Sequence, residues 1–212
     1  MSEPTAPQAR AVGGALAQVH LAAADFAATR ANDLGLAAWR SLAEACGANG
    51  LASIDASLAG LVRRELDVLE QRWPADLPAS VIHADLFPDN VLMMGPRVSG
   101  MIDFYFACND ITAYDIAVTH AAWCFSADGR QFDASLSRAL LEGYAAVRPI
   151  RADERAALPL LARGAAMRFL MTRAYDWMNT PDVAMVTRKD PLAFARRLEF
   201  YADPENAAAF AQ

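Results

Sequence analysis

The stretch Ile82-His83-Ala84-Asp85-Leu86-Phe87-Pro88-Asp89-Asn90, followed by Met101-Ile102-Asp103-Phe104, decides how this chain is read. Asp85 and Asn90 stand in the spacing D-x-x-x-x-N, and His83 lies two residues before Asp85. Between Asn90 and Asp103 run two apolar segments, Val91-Leu92-Met93-Met94 and Val98 to Ile102, separated by Gly95-Pro96, a turn signal. This is the arrangement of a phosphoryl-transfer loop and its metal-binding aspartate. Phosphoryl transfer needs a carboxylate within hydrogen-bond reach of the attacking hydroxyl. It also needs hard oxygen ligands for Mg²⁺, which bridges the phosphates. Asp85 suits the first task as general base. Asn90 and Asp103 suit the second, converging from either end of a hairpin. His83 belongs to the same catalytic set, holding the loop's shape rather than titrating, and Pro88 fixes the backbone direction between base and ligand. Asp89 reads as a turn cap or as a further carboxylate behind the ligands.

Outward from this segment the chain turns helical on both sides. Val12, Leu16, Val19 and Phe26 recur at near-helical spacing over residues 8–28, and Gly13-Gly14 sit inside that pattern rather than in a phosphate loop. Trp39, Leu42 and Ala43 mark a short helix. Leu58, Leu61, Val62, Leu66 and Leu69 make an amphipathic helix ending near Trp73-Pro74. Val81-Ile82 and the two apolar segments give three short strands in one small cluster. Beyond Tyr114, helices are predicted at 120–125, 136–147 and 158–178, then a loop between Pro181 and Pro191 and a last helix through Phe200. The fold class is therefore α+β and predominantly helical, with a small β-hairpin insert beside the catalytic loop.

The wording of the chain narrows this. H-x-D-x-x-x-x-N followed by I-D-F, with alanine where protein kinases carry arginine, resembles the aminoglycoside-phosphotransferase and choline-kinase superfamily. The stretches from Phe104 to Asp115 and from Leu158 to Trp177 are similar to bacterial homoserine kinases, and the likeness covers most of residues 8–200. The resemblance implies the C-terminal lobe of a protein-kinase-like fold over residues 8–205. It implies ATP and Mg²⁺ as cofactors and transfer of phosphate to the side-chain hydroxyl of L-homoserine, on the route to threonine. It also implies Asp85 as base and Asn90 and Asp103 as Mg²⁺ ligands. Other hydroxylated acceptors (choline, ethanolamine, an aminoglycoside, methylthioribose) and a non-catalytic, pseudokinase-like role stand as alternatives.

One departure is expected to matter. The family's N-terminal β-lobe supplies a phosphate-covering loop and a strand lysine. Here the single lysine among nineteen basic residues, Lys189, lies about a hundred residues past the loop, and no strand pattern precedes Gln8. The N-terminal lobe is thus expected to be absent, through truncation, a misassigned start or a natural fragment. Its absence would bare an apolar hinge-side surface and favour self-association.

Homoserine carries a carboxylate and an ammonium, so its site needs a cation for one and acidic or carbonyl oxygens for the other. The candidates are Arg168 and Arg173 with Asp110 and Asp176, and Tyr105 and Asn109 just after the metal-binding aspartate could line the pocket. Trp39, Trp123 and Trp177, and Met93, Met94, Met167, Met171 and Met178, read as core. His20 and His120 lack metal-ligand spacing. With 212 residues, 55% hydrophobic and 21% charged, the chain is an ordinary globular domain. The net charge of −6 carries no basic patch for nucleic acid. Cys46, Cys108 and Cys124 lack zinc or disulfide spacing and read as free buried thiols of a reducing cytosol. No secretory signal or membrane span is expected.

Overall fold

The computed structural model describes residues 3–181 and 188–210. The N-terminal helix α1 (Ala6–Ala22) opens on a capping box between Thr5 and Gln8, with proline in its first turn. It ends six residues short of the expected length, and Phe26 lies beyond it, 62% exposed, outside the core. Helix α2 (Leu36–Ile54) is longer than Trp39, Leu42 and Ala43 alone suggested. It contains a kink at Gly47, whose φ of 66° only glycine adopts readily. Helix α3 (Leu58–Arg72) buries Leu58, Leu61, Val62, Leu66 and Leu69, the stripe that its 3.6-residue period specifies.

Four strands follow, one more than the sequence showed. Strand β1 (Ala79–Ile82) pairs antiparallel with β4 (Cys108–Ile111), and β2 (Val91–Met94) forms a hairpin with β3 (Arg97–Met101). The expected single cluster is therefore two separate two-stranded sheets. Strand β4, Cys-Asn-Asp-Ile, carries two polar residues of low strand propensity, which is why its pattern is silent in the sequence.

Helix α4 (Thr112–Trp123) is buried along its whole length and has no solvent face. It is the central post of the domain, with α1, α5 (Ala134–Ala145), α6 (Ala152–Asn179) and β1 packed around it. Helix α6 is 28 residues long, so it spans about 42 Å and touches α2, α3, α4 and α7 (Leu192–Ala202). Helices α1 and α5 approach closely at Gly13 and Gly143. A Cβ at either position would run into backbone of the facing helix.

The three cysteines are free and buried, as their spacing implied. Trp39, Trp123, Met167 and Met171 are core, but Met94 is 62% exposed and Trp177 37% exposed, against expectation. Met94 sits at the tip of a two-stranded hairpin that has no second sheet to cover it. Among the described residues, no helix is long and apolar enough to cross a membrane.

Candidate active site

The loop between β1 and β2 is held from behind. Asp115, near the start of α4, is fully buried, and its carboxylate accepts the backbone N–H groups of His83 (2.7 Å) and Ala84 (2.8 Å). The same carboxylate meets His20 Nε2 at 2.9 Å, and the other ring nitrogen of His20 meets the Tyr144 hydroxyl at 2.7 Å. Burial alone would push the Asp115 carboxyl up. The hydrogen bonds and the imidazole outweigh it and hold the group below its ordinary value. Ala84 takes a left-handed conformation, φ 63°, which an L-residue adopts only when its surroundings impose it. Its carbonyl accepts from Arg168 Nη1.

The left-handed residue turns Asp85 away from the core and into a cavity of about 520 Å³. Asp85 is half-buried. That burial raises its carboxyl above the usual aspartate value, while the charges of Arg168, His83 and Lys189 pull it back. A single turn at Pro88–Asn90 then brings Asn90 beside it, with Asn90 Nδ2 donating to the Asp85 carbonyl at 2.8 Å and to its carboxylate at 3.3 Å. The amide nitrogen is thereby used, and the side-chain oxygen is left for a cation. The β2–β3 hairpin returns the chain to the same place, where Ile102 N–H donates to the Asn90 carbonyl at 3.0 Å. Asp103 follows, exposed and itself left-handed at φ 62°. Asp85, Asn90 and Asp103 all line the one cavity.

His83 performs the shaping role assigned to it. It is fully buried, its Nε2 meets the Ile102 carbonyl at 3.0 Å, its Nδ1 accepts the Asp85 N–H at 3.3 Å, and its ring tilts against Phe104. It ties the base's loop to the ligand's loop without facing the cavity.

The opposite wall comes from α6 and the segment before α7. Arg168, Thr172, Asp176 and Thr180, spaced by four, lie along one face of the helix terminus, with Phe169 and Arg173 beside them. Lys189, remote in sequence, lies 5.8 Å from the Phe87 ring on the same wall. Arg173 is stacked on Phe194 at 4.5 Å. Phe87, Asp89, Arg173 and Lys189 also border a second cavity of about 710 Å³ that runs toward the start of α5.

Of the residues expected to touch substrate, Arg168, Arg173 and Asp176 line the cavity and Tyr105 and Asp110 do not. Tyr105 is 71% exposed, and its carbonyl accepts from Arg30. Asp110 lies on β4 with its carboxylate on Asn32 Nδ2 at 2.6 Å, and Asn109 is likewise engaged with the Arg30 backbone. Sequence reasoning missed Asp115 and Lys189. The signal for Asp115 is present: a lone carboxylate in the apolar run Ala113-Tyr114-Asp115-Ile116-Ala117 cannot be solvated and must have partners. Nothing local signals Lys189.

Comparison with known proteins agrees with this geometry. The sequence profile of the phosphotransferase enzyme family matches residues 2–150. The chain belongs to that family. It is 54% identical over 199 residues to a homoserine kinase of Azorhizobium caulinodans, covering 94% of this chain and 61% of that protein. It is 55% identical over 196 residues to a homoserine kinase of Paramagnetospirillum magneticum, covering 90% and 60%. The chain thus spans about three fifths of the length of these curated relatives. Among solved structures, a choline/ethanolamine kinase family protein from Mesorhizobium loti superposes with a TM-score of 0.65 at 18% identity. That match covers 99% of this chain and 66% of the other, and it shows a shared kinase-like fold.

Proposed function

We propose that this chain carries the catalytic and acceptor-binding part of a kinase that transfers the terminal phosphate of ATP to the side-chain hydroxyl of L-homoserine, giving O-phospho-L-homoserine. The observation that carries the reading is the convergence of Asp85, Asn90 and Asp103 on one cavity. Three residues separated by up to eighteen positions present two carboxylates and an amide oxygen to the same space. The homoserine kinases named above support the choice of acceptor.

In this reading Asp85 accepts the proton of the acceptor hydroxyl as that oxygen attacks the γ-phosphorus. Its partial burial keeps water from competing for the proton. Asn90 Oδ1 and the Asp103 carboxylate form a hard-oxygen pair suited to Mg²⁺, a cation that completes its shell with phosphate oxygens and water. Such a cation would neutralise charge on the phosphates. On the facing wall, Arg173 and Asp176 are the acceptor contacts for carboxylate and ammonium. Residues 8–205 then correspond to the C-terminal lobe of a kinase-like fold, and the greater length of the relatives accommodates a nucleotide-covering lobe. Leu92, Met94, Ile102 and Phe104 are 43–62% exposed on and just after the hairpin. They support reading this face as covered in the working enzyme, by that lobe or by a second copy of the chain.

The test is phosphoryl transfer from ATP-Mg²⁺ to homoserine, measured for this chain and for a version extended by its upstream coding sequence. Transfer that disappears with Asp85→Ala supports the reading. Transfer to choline or an aminoglycoside but not to homoserine would replace the acceptor. No transfer in either version would make the chain a non-catalytic relative.

A further inference from the structure

Arg168 is a buried guanidinium without a salt bridge among the described residues. It is 1% exposed, and its Nε has no hydrogen-bond partner. Its flat faces rest on the rings of Phe169 at 4.7 Å and Phe106 at 5.4 Å. A buried cation lacking a carboxylate is costly, and it persists only where it does something an apolar side chain could not. Its one hydrogen bond identifies the task, because Nη1 donates to the carbonyl of Ala84. That residue is one of two non-glycine positions with positive φ among the described residues, and it immediately precedes the base.

We propose that Arg168 is a positioning residue: together with Asp115 it clamps the left-handed Ala84, and so sets the direction in which Asp85 enters the cavity. Asp115 holds the N–H of Ala84 and Arg168 holds its carbonyl. Relaxation of Ala84 to an ordinary φ would rotate that carbonyl off the guanidinium and swing the Asp85 carboxylate away from Asn90, which it now meets at 3.3 Å. The proposal rests on Asp85 being the base. It removes Arg168 from the acceptor contacts, because the side chain has almost no surface to offer a ligand. The sequence pattern fits the same division of labour, for the position where protein kinases carry arginine is Ala84 here, and α6 delivers a guanidinium to it from 84 residues away.

The experiment uses amide hydrogen exchange, which needs no turnover, on the chain itself. Arg168→Met is expected to speed exchange at the His83 and Ala84 amides by about tenfold or more while α1 and α5 stay protected. Ala84→Gly in that background is expected to restore protection, because glycine holds a left-handed conformation without a clamp. In whichever form transfers phosphate, Arg168→Met should lower kcat by about 100-fold, the scale of a small misplacement of a reacting group, with KM for homoserine little changed. Arg168→Lys, which keeps the buried charge, serves if the methionine variant does not fold, with partial loss at the same two amides expected. Unchanged exchange at His83 and Ala84, or a raised KM with intact kcat, would overturn the proposal. So would a general loss of protection across α4, α6 and α7 in Arg168→Lys, which would make the residue a packing element. Failure of phosphate transfer with local exchange behaving as expected would leave the clamp standing and remove only its enzymatic purpose.

Discussion

The two ends of α4 carry the same device built with one different part. Near the start of the helix, His20 meets a tyrosine hydroxyl (Tyr144) through Nδ1 at 2.7 Å and the Asp115 carboxylate through Nε2 at 2.9 Å. Five residues on, His120 meets a tyrosine hydroxyl (Tyr201) through Nδ1 at 2.7 Å and the Ser137 hydroxyl through Nε2 at 2.8 Å. Both imidazoles are buried among helices. Replacing a hydroxyl by a carboxylate changes what the cluster is for. The Asp115 end holds a charge, and that charge reaches through two backbone N–H groups to the loop carrying Asp85. The His120 end is enclosed by Phe132, Tyr201 and Phe210 and supports only packing. Burial pushes the His120 imidazole down to about 3, so it is neutral throughout the ordinary range.

The sharpest break in this comparison is Asp115→Ala. It strands two buried N–H groups and His20, so a loss of about 3–5 kcal/mol in urea-unfolding stability is expected, together with loss of phosphate transfer. If activity survived, the link from α4 to the loop would be wrong. Asp85→Asn should do the reverse. It would lower kcat by about 10²–10⁴-fold, the range for a positioned base, while leaving the unfolding midpoint where it was. A large stability change there would show that the loop is part of the packing after all. On the structural side, Gly143→Ala forces a methyl group against the Arg10 backbone of α1. About 1–3 kcal/mol of destabilisation is expected, with KM unaffected.

The smallest effect is one of pH. The unfolded chain binds a proton at His120 near pH 6.5, whereas the folded chain refuses it until about 3. Below 6.5 the unfolded state therefore gains protons the folded state lacks, and stability falls as pH falls, by about 1.4 kcal/mol per pH unit from this group. Asp115, held below its ordinary value, contributes in the same direction only at lower pH, as it nears its own titration. His120→Gln should flatten the stability profile between pH 6 and about 4.5. An unchanged slope would mean that His120 takes up its proton in place.

Much of this molecule can be read from local pattern. Asp85, Asn90 and Asp103 are identified by spacing because a turn and a hairpin, both local structures, are enough to bring them together. The stripe of α3 is legible for the same reason: a helix repeats every 3.6 residues whatever it packs against. Strand β4 was not legible, since its polar residues pair with β1 about 30 positions away. The end of α1 was also misplaced, because alanine continues a helical pattern through Ala28 without specifying where the core stops.

By itself, then, the amino-acid sequence determined the reaction chemistry, the helical character and the loop that carries the base. Each of these depends on residue types at short, fixed separations. Only the tertiary structure decided which charged groups meet that loop. Lys189 entered the cavity wall from about a hundred residues downstream, Asp115 and Arg168 closed on Ala84 from two different helices, and Tyr105 and Asp110 were turned outside it. The physical reason is that a buried charge is fixed by its partners. Those partners are chosen by how helices pack across the core, and a periodicity records only which face of each helix is apolar.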